Sequence, residues 1–269
     1  MSDVRFTELE AELDLRSTAL PTGSGVSVTQ VEFPFTGSGQ TDFMPNLNDG
    51  QFAGKTITDR SGGGTSSSHG TTVGRNLYGT SNSIAPGIST VDVYEAEDWL
   101  DNQGWETGDP FVETNPLQNH SWVSFSSSGD ATLRMDYAVA RDGFLPIAGL
   151  YNSDFGSQNI PSDIPEIYGS SYNGITVGVS DGTHRTGFTS SADGPGRIKP
   201  EIVAPNSFTS FATPYITAAA ALLIEAAGGD QDAKRQQVIK AILLAGANKA
   251  PFDNSPLCLL YTSPSPRDA

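Results

Sequence analysis

Thr209-Ser210-Phe211-Ala212-Thr213-Pro214-Tyr215-Ile216-Thr217-Ala218-Ala219-Ala220-Ala221-Leu222-Leu223-Ile224-Glu225 decides the architecture of this chain. From Thr213 onward, alanine and leucine dominate, Pro214 suits a first helical turn and Gly228-Gly229 ends the run. The spacing predicts a helix over 213–227. It is apolar on nearly every side, so it belongs at the centre of the fold. Ser210 stands just before it, where unsatisfied N–H groups give the helix start a partial positive charge. That environment favours an oxyanion beside the serine. Taken alone, Ser210 or Thr213 reads better as an ordinary helix cap.

Outward from this helix, the chain alternates strands and helices. Val26 to Val31 alternates apolar and polar residues, which predicts a first strand with the carboxylate of Glu32 at its end. Further strands are expected at 90–94, 121–125, 144–149 and 174–179. Ala131 to Arg141 reads as a helix stopped by Gly143. Leu133, Tyr137 and Ala140 would share its apolar face, widened by Met135, Ala138 and Val139. Short helices are expected over 7–16, from His69 to about Tyr78, and over 232–244. Residues 36–68 are polar and rich in Gly, Ser and Thr, as in a long loop. Strand, helix and strand in close succession imply an α/β fold, a mainly parallel sheet flanked by helices.

Composition narrows the function. The 269 residues carry 15 Lys+Arg against 31 Asp+Glu, a formal net charge of −16. Such a surface repels phosphate backbones and anionic lipid, so no nucleic acid is expected as a partner. No apolar run approaches the ~20 residues that span a bilayer, so no membrane insertion is expected. One cysteine, Cys258, excludes an internal disulfide. Three scattered histidines, His69, His120 and His184, give no metal-ligand spacing, so no metal residue is assigned.

Two further segments offer chemistry. His69-Gly70-Thr71 opens a helix of small residues after a polar loop. Glu32 ends a strand, the place where ligands gather in parallel sheets. A lone histidine is more often structural, and a strand-end acid is more often merely solvated. Together the three groups run acid, His, Ser along the chain, the order of a subtilisin triad.

In these segments the chain resembles the subtilisin-like serine peptidases. His69-Gly70-Thr71 matches that family's histidine motif, and Ile84-Ala85-Pro86-Gly87 the element after it. Ile198-Lys199-Pro200-Glu201-Ile202-Val203-Ala204-Pro205 resembles the segment before the nucleophile, and Thr209-Ser210-Phe211-Ala212-Thr213-Pro214 the nucleophile motif. Ser171-Tyr172-Asn173-Gly174-Ile175-Thr176-Val177-Gly178 resembles the strand before it, so the matches run from about residue 23 to 247.

The resemblance implies a serine endopeptidase of subtilisin-like fold acting on proteins or peptides. Ser210 would be the nucleophile, His69 the general base and Glu32 the orienting acid. It also points to Asn152 as an oxyanion donor, two residues further from Gly149 than the family pattern, in a turn-like setting. Ser121, Trp122, Val123 and Ser124 are the expected substrate-binding segment. No cofactor is required. Calcium binding, common among relatives, is possible but unplaced. An extracytoplasmic location is implied, although the acidic start is not a signal peptide.

The chain departs from the family in several places. Glu32 stands for the usual Asp, as in the sedolisin relatives, and Phe33-Pro34 for Thr-Gly. Phe208 stands where a glycine precedes Thr-Ser, and a short link from Pro205 to Thr209 reduces one wall of the cleft. These departures leave a non-catalytic, protein-binding or structural module of the same family as the alternative. Gly178-Val179-Ser180-Asp181-Gly182 also fits a G-x-S-x-G nucleophile elbow, but the polar sequence after it is not helical. The expected organisation is an N-terminal extension over 1–22 and a peptidase domain over 23–254, truncated at its C-terminal end. Residues 255–269 resemble a translated sequencing adapter and are expected to be non-native.

Overall fold

The computed structural model describes residues 6–124, 129–152, 166–191 and 194–247. Its strands are β1 Ser27–Glu32, β2 Thr56–Asp59, β3 Thr90–Glu95, β4 Leu117–His120, β5 Leu145–Gly149, β6 Ile175–Val179, β7 Gly187–Ser191, β8 Gly194–Lys199 and β9 Ile202–Ala204. Seven of them form one sheet in the order β2-β3-β1-β4-β5-β6-β9, and every pair is parallel. β7 and β8 form a separate antiparallel hairpin. The helices are α1 Phe6–Leu15, α2 Ser68–Tyr78, α3 Ala96–Asp101, α4 Gly129–Asp142, α5 Thr209–Ala226 and α6 Gln236–Gly246. This is the α/β, mainly parallel architecture expected from the alternation.

Both faces of the sheet are covered, so its five inner strands are mostly buried, while the edge strands β2 and β9 are largely part-exposed. Val28, Val91 and Val177 face a core shared with Leu77, Ala218, Ala221 and Ile239. Val31 and Ala148 face a second core built on Trp99, Trp105, Met135 and Tyr168. Val28 and Val31 are three residues apart and therefore point to opposite faces, as period-two geometry requires. The indoles of Trp99 and Trp105 stack with centroids 4.6 Å apart. The segment after α1 is tied to α5: the backbone N–H groups of Thr22, Gly23 and Ser24 all donate to Glu225 Oε2.

Five expectations need correction. The stretch 36–68, expected as a loop, contains β2, which pairs with β3. The central helix begins at Thr209, not 213, and Phe208 is its N-cap residue, so Ser210 lies inside the first turn and neither it nor Thr213 is the cap. The strand expected at 121–125 lies instead at Leu117–His120, because sheet pairing ends where His120 meets Val31 and Ala148. On α4 the buried face is Ala131, Met135, Ala138 and Val139, while Leu133 is 67% and Tyr137 59% exposed. Ala140 is exposed as well. Thr132, not Leu133, completes the buried stripe, since Oγ1 of Thr132 accepts the Tyr168 N–H. Finally, α6 runs from Gln236 to Gly246, leaving Asp232 in the preceding turn.

One buried cluster of charges is neutralised internally, around Glu201. Lys199 Nζ bonds Glu201 Oε2 at 2.9 Å, and Lys240 Nζ bonds Glu201 Oε1 at 2.8 Å. The 255–269 tail lies outside the described residues. No helix among the described residues is long and apolar enough to cross a membrane.

Candidate active site

The carboxyl ends of β1, β4 and β5 and the first turns of α2 and α5 converge on one cleft of about 230 Å³. It is lined by Phe33, Pro34, Phe35, His69, Ser121, Trp122, Val123, Gly149, Asn152, Thr209 and Ser210. Residues as far apart in sequence as Phe33 and Ser210 thus meet at one edge of the sheet, where parallel topology gathers loop and helix starts.

Glu32 is 0% exposed and ends β1. Its Oε2 lies 2.8 Å from His69 Nδ1. Its Oε1 accepts from Gln30 Nε2 at 3.0 Å. Gln30 is itself held, donating to Gly70 O at 3.2 Å and accepting from Tyr78 Oη at 2.7 Å. Burial first, and then the charge of Glu32, push the Tyr78 hydroxyl well above its ordinary range, so it stays a donor. Burial pulls His69 down, but the charge and hydrogen bond of Glu32 outweigh it and raise His69 above its ordinary 6.5.

His69 is the second residue of α2, whose N-cap Ser67 accepts the Gly70 N–H at 3.2 Å. A Cβ on Gly70 would stand 2.5 Å from Phe43 O, so glycine after the histidine lets α2 approach the neighbouring loop. Asp42 and Asp49, two acids in the segment between β1 and α2, are engaged elsewhere. Asp42 accepts from Thr36 Oγ1 at 2.7 Å, and Asp49 from Arg75 Nε at 2.8 Å.

Ser210 occupies the first turn of α5 and lines the same cleft as His69. Among the described residues its hydroxyl is not hydrogen-bonded, so the contact with His69 is not closed in this state. Pro214 carries no N–H, so the Ser210 carbonyl lacks the helical donor four residues on. Ser121 Oγ supplies the replacement, donating to Ser210 O at 2.8 Å. The segment after β4 is thereby fastened to the start of α5.

Asn152 Oδ1 accepts from Thr209 N at 2.7 Å and from Thr209 Oγ1 at 2.9 Å. A backbone N–H can only donate, so the amide oxygen is assigned and Nδ2 remains as the donor in the cleft. The two extra residues after Gly149 are accommodated because β5 ends there. A Cβ on Gly149 would lie 3.0 Å from Thr213 Oγ1, so glycine admits α5 close to the strand end.

Of the segment expected to bind substrate, Ser121, Trp122 and Val123 line the cleft. Ser124 does not; its carbonyl accepts from Ile167 N at 3.0 Å. Trp122 is fixed from below, donating Nε1–H to His120 Nδ1 at 3.3 Å. The other ring nitrogen of His120 lies 3.0 Å from Gln118 Oε1. Burial pushes His120 down to about 3, so it is neutral and can accept from the indole.

The supporting roles of Gln30, Thr209 and His120 escaped the sequence reading. The missing N–H of Pro214 was the available signal for Ser121. Nothing local marks Gln30, whose partners come from three separate segments.

The rival elbow fails structurally. Residues 178–182 lead through a turn at Gly182 (φ 82°) into β7, and no helix follows. Among the described residues no group of His, Cys, Asp or Glu side chains is arranged to hold a metal ion.

No protein-family model and no curated protein sequence matches the chain. Among solved structures it is similar to a cold-adapted subtilisin-like serine proteinase, at 18% identity over 85% of this chain and 84% of that one, with TM-score 0.56. It is also similar to the prenylagaramide maturation protease PagA, at 17% identity over 95% of this chain and 94% of that one, with TM-score 0.59. At this identity the likeness establishes the fold: the chain has the α/β fold of the subtilisin-like proteases.

Proposed function

We propose that this chain is a serine endopeptidase working through Glu32, His69 and Ser210. One observation carries the reading: a buried carboxylate holds His69 by Nδ1 at 2.8 Å, and His69 shares its cleft with a serine in the first turn of a helix. With Nδ1–H donated to Glu32, Nε2 is the unprotonated nitrogen and can take the proton of Ser210. Ser210 Oγ would attack the scissile carbonyl as that proton moves to His69. The positive helix start and the Asn152 amide would stabilise the oxyanion. His69 would then protonate the leaving amine, freeing it from the acyl-enzyme, and water would release the acyl group by the same path. Extended substrate would lie along residues 121–123, past the last sheet pairing, by strand addition.

The substitution Ser210→Ala tests this directly. It should keep the fold and remove most peptide cleavage, because the covalent route needs the hydroxyl. Retention of full activity would refute the assignment. The unclosed Ser210–His69 contact favours the competing reading, a binding module of the same fold. A serine-directed phosphonate separates the two: labelling at Ser210 supports the peptidase, and a folded protein that stays unlabelled supports the module.

A further inference from the structure

Four phenylalanines crowd the catalytic edge, and two of them stand at departures from the family pattern. Phe35 lies nearly parallel to the His69 ring, with centroids 6.4 Å apart and an interplanar angle of 17°. Phe211 packs on the same imidazole at 5.4 Å. Phe208 meets Phe211 edge-on at 5.8 Å. Phe33 and Phe35 both line the cleft. Phe35 is 63% exposed and Phe208 50%, so these rings spend apolar surface on water beside the site rather than on the core.

Their position relative to the chemistry identifies what they would meet. The group that receives a proton from His69 is the amine of the departing half of the substrate. The residue carrying that amine must therefore sit against His69, and its side chain falls among the rings that border His69. Ring pairs at these separations gain from edge-to-face and offset contact beyond simple burial. A carboxylate placed there would lose water and find no partner among the rings.

We infer that Phe35, Phe208 and Phe211 form an aromatic shelf selecting substrates with an aromatic or large aliphatic residue immediately after the scissile bond. This inference rests on the peptidase reading above. It makes Phe208, in place of the family's glycine, a specificity-determining residue rather than a defect in the nucleophile motif.

The acyl-enzyme partition test reads this preference separately from acylation. A peptide ester acylates Ser210, and added amino-acid amides compete with water. The amine nitrogen forms the new C–N bond as the C–Oγ bond breaks, its proton passing by way of His69 to Ser210 Oγ. Phenylalanine amide should outcompete glycine amide and aspartate amide by at least about 10-fold. Phe208→Gly and Phe35→Ala should each lower that ratio several-fold. Equal partitioning of the three amides overturns the shelf.

A second measurement does not depend on turnover. Two peptides differing only in Phe or Gly after the intended scissile bond are titrated against the Ser210→Ala protein by calorimetry. The Phe peptide should bind several-fold tighter; equal or undetectable binding of both overturns the shelf. Absence of any acyl-enzyme in the parent protein, with the Phe preference intact in this titration, would instead overturn the peptidase reading, leaving the rings as a surface that binds aromatic side chains without cleavage.

Discussion

Replacing Glu32 by Gln keeps the shape of the side chain and removes its charge. Two effects then act on His69. The first is electrostatic. Unit charges about 4 Å apart attract by about 4 kcal/mol at an effective dielectric constant near 20, and that attraction is missing when imidazolium forms. Lost from the transition state, it slows the reaction by about three decades. The second effect is tautomeric. Gln30 Nε2 donates to both Glu32 Oε1 and Gly70 O, so the new amide must keep its oxygen toward Gln30. Its nitrogen then faces His69 Nδ1 and donates to it, leaving the proton on Nε2, toward Ser210. That histidine cannot take the serine proton. The equivalent Asp-to-Asn change in an unrelated serine protease lowers kcat by about 10⁴. The expected loss for Glu32→Gln is therefore about 10³–10⁴ in kcat, with KM little changed.

The pH dependence supplies an independent reading of the same variant. Activity needs neutral His69, and Glu32 raises the His69 pKa above 6.5 against the opposing pull of burial. In the parent, kcat/KM should rise with pH through that raised value. In Glu32→Gln the residual activity should have its acid limb at lower pH. An internally quenched peptide assayed across that limb, with thermal melts to confirm folding, measures both effects. A variant within a few-fold of the parent rate, or an acid limb that does not move, refutes the reasoning.

Asn152→Ala should lower kcat by about 10²–10³, the loss known for such a donor in a subtilisin, with the melting temperature little changed; an unaltered kcat removes Asn152 from the oxyanion site. Met135→Ala should cost about 2–5 kcal/mol in a urea titration, whereas Leu133→Ser should stay within about 0.5 kcal/mol, and the reverse order would restore the face read from sequence. Glu201→Gln leaves Lys199 and Lys240 buried without their shared carboxylate and should destabilise by about 3–5 kcal/mol; a change below about 1 kcal/mol in the denaturation midpoint analysis would show that backbone carbonyls suffice.

Local patterning was enough for the parallel α/β class, the central helix and the order Glu32, His69, Ser210. Each depends on residues adjacent in the chain: alternation in 26–31, the alanine-rich run after Pro214, and His-Gly-Thr at a helix start. Which side of α4 faces inward was not legible, because Leu133 and Met135 are both apolar and periodicity does not say where the sheet lies. The limit of β4 was set by its neighbours, since a strand ends where β1 and β5 stop pairing with it. The supports of the site belong wholly to tertiary structure. Gln30 is oriented by Tyr78 and Gly70, Asn152 by Thr209, and the Ser210 carbonyl by Ser121. Hydrogen bonds between groups distant in sequence leave no periodic trace. They arise only once the fold has brought those polar groups together from distant segments.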